Sequence, residues 1–197
     1  MLFLIGSLLG MKAATVNVTV KLLDESRVNP LAGASASVYI KDASGFVFKG
    51  LTNNGALNIN NLTVGQTYSF RVNFNSSNYD FSIVAGKNLP EVQTTKVTIR
   101  LTGCDSIITT GLNASTYTRG NAQNTDYLVG ITSKGIKSIY LLPGTYDFQM
   151  DYRRGSERKK AIAVSGINQN IDFLASYVQV PVNPSLLYSG IDTGSYF

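Results

Sequence analysis

Histidine and tryptophan are absent from this 197-residue chain, and there is a single cysteine, Cys104. Without an imidazole no base exists for a Ser-His-Asp or Cys-His arrangement, and a zinc site lacks its ligands. The remaining groups able to do acid–base work are twelve carboxylates, dispersed along the chain. Asp147 and Asp151 lie four apart in an alternating stretch. They share a strand face but stand roughly 13 Å apart at ordinary strand rise, too wide for a glycosidase acid pair. Asp24-Glu25 has no neighbouring oxygen ligands to complete a calcium loop. These residues imply no enzyme, cofactor, metal site or small-molecule substrate. Cys104 reads as a small buried residue at a domain junction, with an intermolecular disulfide as the alternative.

Two sets of side chains have chemistry of another kind. Asn17-Val-Thr, Asn61-Leu-Thr, Asn75-Ser-Ser and Asn113-Ala-Ser have the acceptor pattern for N-linked glycans. Asn61, Asn75 and Asn113 fall in predicted turns, and Asn17 on the polar face of a predicted strand. A chain rich in Asn, Ser and Thr also produces such triplets by composition alone. The net charge is +5, and most Lys and Arg are scattered singly. The exception is Tyr152-Arg-Arg-Gly-Ser-Glu-Arg-Lys-Lys, in which Arg153, Arg154, Arg158, Lys159 and Lys160 join two predicted strands. The plain reading is a solvated hairpin tip; the sharper one is a contact with an anionic glycan, lipid or protein partner. Nucleic acid is not implied, because no aromatic residues interleave the charges.

The elements that must position these residues are strands. Thr, Ser, Asn, Val, Tyr and Gly dominate, Glu is rare, and 44% of the chain is apolar, a mixture that suits pleated sheets and tight turns. Residues 50–62 recur at 130–142: Gly50, Thr52, Gly55, Ile59 and Leu62 reappear as Gly130, Thr132, Gly135, Ile139 and Leu142. Thr67, Tyr68 and Phe70 then correspond to Thr145, Tyr146 and Phe148. Each Thr-x-x-Gly predicts a hairpin in which Gly supplies positive φ. Tyr68, Phe70 and Val72 share one strand face, as do Tyr146, Phe148 and Met150. Val16, Val18 and Val20 alternate in a first strand, and Val92–Leu101 predicts a strand that closes the first copy. Turns every 8–12 residues indicate sandwiches. The fold expected is all-β, two tandem Ig-like or transthyretin-like β-sandwich domains, over residues 15–103 and 104–182. Residues 183–197 form a polar tail.

Residues 1–14 begin Met-Leu-Phe-Leu-Ile-Gly-Ser-Leu-Leu-Gly. They read as the remnant of an export signal, as a retained packing segment, or as a membrane anchor, although the run is shorter than a spanning helix needs.

Leu31-Ala-Gly-Ala-Ser-Ala-Ser-Val-Tyr, Thr52-Asn-Asn-Gly and Tyr68-Ser-Phe resemble the transthyretin-like, carboxypeptidase-regulatory-type sandwich. Thr132-Ser-Lys-Gly and Leu142-Pro-Gly-Thr-Tyr-Asp-Phe resemble it in the second copy, where Gly111-Leu-Asn-Ala-Ser-Thr-Tyr is a poor stand-in for the opening element. The resemblance implies non-catalytic extracellular modules, including filament subunits such as archaeal threads. An internal Lys–Asn bond of the kind some related pilin domains use would start from Lys21, but Val97–Leu101 offers no Asn. The expected function is a structural subunit at the cell surface. Head-to-tail copies would assemble by strand donation from Val16, Val18 and Val20, or from Leu2 and Leu4. The alternative is an adhesin or carbohydrate-binding pair reading glycans through surface Tyr and Asn.

Overall fold

The structure, a computed structural model, describes residues 13–103, 108, 113–153 and 155–175. It is all-β: two tandem sandwiches of seven strands each. The first module contains β1 (Thr15–Leu23), β2 (Ser37–Asp42), β3 (Gly45–Leu51), β4 (Ala56–Thr63), β5 (Thr67–Phe74), β6 (Ser77–Val84) and β7 (Glu91–Gln93). The second contains β8 (Thr95–Thr102), β9 (Ser115–Arg119), β10 (Tyr127–Ile131), β11 (Ile136–Leu141), β12 (Gly144–Tyr152), β13 (Gly155–Val164) and β14 (Asn168–Leu174).

The two modules have the same strand order. In the first, a sheet β4-β1-β7 faces a sheet β3-β2-β5-β6; in the second, β11-β8-β14 faces β10-β9-β12-β13. The first strand of each is central, antiparallel to the fourth and parallel to the seventh. This partition differs from the immunoglobulin constant type, in which the first strand shares a sheet with the second, fifth and fourth.

The Thr-x-x-Gly repeat does two jobs. Asn54 and Gly55 have φ of 48° and 75°, and Lys134 and Gly135 have φ of 52° and 77°. Asn53 and Ala56 exchange backbone hydrogen bonds across the first turn, and Ser133 and Ile136 across the second. Two consecutive positive φ values make each a hairpin of type I′. The threonine is not part of the turn surface but is buried. Thr52 Oγ1 accepts from Ala36 N at 2.8 Å, as Thr132 Oγ1 accepts from Ala114 N at 2.8 Å. The threonine thereby pins the start of the second strand against the end of the third.

Those bonds also align Ala36-Ser37-Val38-Tyr39 with Ala114-Ser115-Thr116-Tyr117. The second copy therefore has the strand that follows the opening element, while residues 109–112, at the place of the Pro-Leu-x-Gly-Ala turn, lie outside the described residues. What obscured that strand is the replacement of Val38 and Ile40 by Thr116 and Thr118 at inward positions. Thr116 Oγ1 donates to Gly130 O at 2.8 Å. Thr118, 1% exposed, has a hydroxyl with no hydrogen-bond partner.

The expected boundary at residue 103 is corrected to Thr94. Val92–Leu101 is one alternating run in sequence, but it serves two sheets. Val92 lies in the first core, whereas Val97, Ile99 and Leu101 lie in the second with Tyr146, Phe148, Met150 and Phe173. The reason is pairing: β7 runs beside β1, while β8 lies between β11 and β14. Cys104, Asp105 and residues 183–197 lie outside the described residues.

An unpaired buried hydroxyl costs about 1–3 kcal/mol, and valine has nearly the volume of threonine. Thr118→Val is therefore expected to raise stability by about 1 kcal/mol in urea denaturation with an unchanged m-value; a loss of stability would contradict the burial described.

Candidate functional site

The expected basic patch is divided. Gly155–Val164 is itself a strand, so of the described residues only Arg153 is at the hairpin tip, where its guanidinium lies 5.3 Å from the Tyr152 ring. Arg154 lies outside the described residues. Arg158, on the outer face of β13, bonds Asp126 and Gln149 and stands 3.6 Å from Asp147. Lys159 pairs with Glu157 at 3.1 Å and stands over the Phe173 ring. Lys160 is exposed. The period-two alternation of a strand sends these charges to different faces, which the sequence run alone does not convey.

The carboxylates are occupied too. Asp147 takes Arg119 at 2.7 Å and the amide of Ala161 at 3.0 Å, and these bonds hold it below the usual carboxylate range. Asp151 accepts from Gln149. Asp80 and Asp172 are held low by two-pronged bonds from Arg71 and Arg100. Each of these acids fixes a strand or a turn, and Asp147 shares Arg119 and Arg158 with Asp126. A shallow pocket of about 500 Å³ beside Arg119 is lined by Asn121, Gln123, Asn124, Thr145 and Asp147.

Of the sequons, Asn17, Asn61 and Asn113 are exposed. Asn61 is in β4 rather than a turn, at φ 60°, and its amide donates to Asn17 Oδ1 at 3.1 Å. Asn75 is the exception. Its Nδ2 donates to Tyr140 O at 2.8 Å, and Ser76 and Ser77 are buried against the second module. The Asn75 side-chain amide, alone among the four sequons, is thus engaged at the module junction.

The junction itself was not foreseen from sequence. Thr94 is the single residue between β7 and β8; its amide and its Oγ1 both donate to Leu23 O, at 3.1 and 2.6 Å. Leu142, fully buried, leaves the second module to pack in the core of the first. Asn121 Oδ1 accepts from Asn78 N and Ser77 Oγ. Ala122 N and Gly120 N reach Ser76 O and Ser76 Oγ, both at 3.1 Å. Gly120 has no room for a side chain, since a Cβ there would stand 2.5 Å from Ser76 O. On the other flank Glu25 accepts from Tyr140 OH at 2.5 Å and from Lys96 Nζ at 3.1 Å. The Tyr140 bond, more than Lys96, lowers the Glu25 carboxyl to about 2, and the same bond raises the Tyr140 hydroxyl.

Val16, Val18 and Val20, expected to be donated to a neighbour, are spent at home. Their strand β1 is central in its own sheet, and Val18 and Val20 are buried in its own core. In the single chain, β1 therefore has both hydrogen-bonding edges taken. Leu2 and Leu4 lie outside the described residues.

Each sheet has two edge strands, and one pair of these edges matches closely between the modules. Among the described residues β3 pairs only with β2, and β10 only with β9. Both have a one-residue bulge, at Lys49 and at Val129, followed by Gly50 and Gly130 at positive φ. Both show apolar side chains to solvent at matching positions: Phe48 and Leu51, then Leu128 and Ile131.

No family model and no curated protein matches the chain. Among solved structures it is similar to the TIE protein of Bacillus anthracis (12% identity, TM-score 0.30, 83% of this chain and 34% of that one). It is also similar to GBS52, the minor pilin of Streptococcus agalactiae (12%, 0.35, 86% and 99%). A third is the shaft pilin spaA of Lactobacillus rhamnosus GG (12%, 0.27, 85% and 100%). The chain thus spans about a third of the length of the first of these. At such TM-scores the overlaps carry no argument, and the two-sandwich description rests on the strand order above.

A carboxyl whose pKa is lowered on folding stabilises the fold above its unfolded value of 4.5, and that stability is lost as pH falls through about 2. The raised Tyr140 hydroxyl works in the opposite sense, its contribution fading as pH rises beyond 10. Glu25→Gln is therefore expected to flatten the acid limb of stability between pH 4.5 and 2 relative to wild type. Thermal unfolding measured across that range checks it, and parallel curves for the two proteins would contradict it.

Proposed function

We propose that this chain is a non-catalytic structural subunit of an extracellular surface filament, in which copies join head to tail by completing one another's open sheet edges. The observation that supports this most is the combination of two like modules joined without a linker and an apolar, unpaired edge strand in each. An exposed apolar edge is an association hazard in a monomer, and a subunit that adds a strand to its neighbour turns it into a joint. A contact between two different surfaces that does not close on itself propagates as a filament. The occupied carboxylates agree with a scaffold rather than a catalyst. In this reading the modules are of the transthyretin-like type, the assembly is thread-like, and Asn17, Asn61 and Asn113 are the sites open to N-linked glycans. With β1 retained at home, the donated strand comes from residues 1–12 or from the chain beyond residue 175.

A second reading, a carbohydrate-binding pair, is favoured by one feature, the amide-lined pocket beside Arg119 and Asp147. Its walls have hydrogen-bonding groups but no aromatic ring among their lining residues.

Sedimentation and negative-stain electron microscopy of the purified full chain separate the two. Concentration-dependent polymers with a regular axial repeat are expected. A monomer at all concentrations that binds oligosaccharide through the Arg119 pocket would favour the second reading instead.

A further inference from the structure

The first module ends where the second begins, and the second module ends in the same way. Thr94 N donates to Leu23 O just after β7, and Ala175 N donates to Thr102 O, at 2.7 Å, just after β14. Because β7 and β14 lie parallel to the equivalent strands β1 and β8, Ala175 occupies in the second module the place of Thr94 in the first. The next seven residues continue the correspondence. After Thr94 come Val97, Ile99 and Leu101 on the inward face of β8; after Ala175, at the same spacing, come Val178, Val180 and Val182 in Ser-Tyr-Val-Gln-Val-Pro-Val. The same phase is present in Val18, Val20 and Leu22 of β1. Ser176–Val182 thus repeats, in sequence, the alternation of the strand that opens each module.

Pro181 narrows where this segment fits: lacking an N–H, proline is confined to edge positions in sheets, so the segment suits the outside of an existing sheet rather than the centre.

The open edges differ in what they would accept. The bulge of β3 places Lys49 there, a charge of the kind that blunts an edge. Strands β13 and β14 include Arg158, Lys159, Lys160 and Asp172; β6 includes Asp80, β7 Glu91 and β11 Lys137, and β4, though uncharged, exposes the amides Asn58, Asn60 and Asn61. Strand β10, Tyr-Leu-Val-Gly-Ile, has no charge, and its bulge residue is Val129. Leu128 and Ile131, opposite Tyr117 and Ser115 of β9, are 55% and 61% exposed. Ser176–Val182 is equally uncharged.

Resting on the filament reading, we propose that Ser176–Val182 of one copy pairs as an added strand along the free edge of β10 in a second copy. Main-chain hydrogen bonds join the two strands, and the valines meet the apolar face that Leu128 and Ile131 leave uncovered. The donated strand is then the C-terminal one, and removal of residues 2–9 leaves assembly intact.

The test uses full-length chains made unable to give or unable to receive. Val178→Asp with Val180→Asp spoils the giving strand, and Leu128→Lys with Ile131→Lys, at two exposed positions, spoils the receiving edge. Each variant alone is expected to stay monomeric in sedimentation velocity, and an equimolar mixture to form a 1:1 dimer that grows no further. Polymers from either variant alone, or a mixture that stays monomeric while wild type polymerises, would overturn the proposal. A peptide of residues 175–182, titrated into the full chain and followed by amide shifts, covers the remaining case. If wild type never polymerises but the peptide moves Tyr127–Ile131, the edge contact stands and the filament reading fails. If the peptide moves nothing there, the contact itself is overturned.

Discussion

Thr94 is held by two hydrogen bonds to one carbonyl, its amide and its hydroxyl both reaching Leu23 O, and on either side of it the chain belongs to a different sheet. Tandem domains usually meet through an exposed, flexible linker. Here no residue is left over to act as one. The end of one sandwich and the start of the next are a single extended run, and the direction of the second module follows from that of β7. Leu142 fills the first core from the second module, and Gly120 lets the two backbones close on each other at Ser76. The Glu25–Tyr140–Lys96 group closes the other flank. A hinge would need the loss of Leu142 packing and of several hydrogen bonds at once, so the pair behaves as one body.

That constraint gives the rest of the structure its sense. A two-module unit without a linker keeps its edge strands at fixed positions, which is what a repeating assembly requires of a subunit. It also explains where the ionisable groups went. Arg119, Asp126, Asp147 and Arg158 bind β9, β12, β13 and the loop before β10 to one another. Arg71 with Asp80 and Arg100 with Asp172 tie neighbouring strands. These pairs are partly exposed, where an ion pair contributes at most about 1 kcal/mol. They mark register and geometry more than stability, which comes from the two apolar cores.

Much of this was legible in the sequence, and the failures have physical causes. The all-β class, the two copies, the hairpins at Gly55 and Gly135 and the inward faces of β5 and β12 all follow from alternation and from the demand for positive φ. The boundary did not, because alternation through Val92 to Leu101 is unbroken and a period of two carries no record of which neighbour a strand pairs with. Thr116 and Thr118 hid the second strand of the second copy by placing hydroxyls where the first copy has Val38 and Ile40. The basic run looked like one patch because sequence proximity ignores the opposite faces of a strand. Asn75 met the sequon pattern, but its amide had already been taken by a carbonyl 65 residues away. Val16, Val18 and Val20 had the pattern of a donated strand because they are the pattern of an opening strand, and only pairing distinguishes the two.

The most direct test of the linkerless joint is a measurement of relative orientation in solution. Residual dipolar couplings collected for backbone amides of both modules in one weakly aligning medium are expected to fit a single alignment tensor, with the modules oriented as described here. Separate tensors of different magnitude for the two modules would show that they move independently, and would contradict the rigid handover at Thr94.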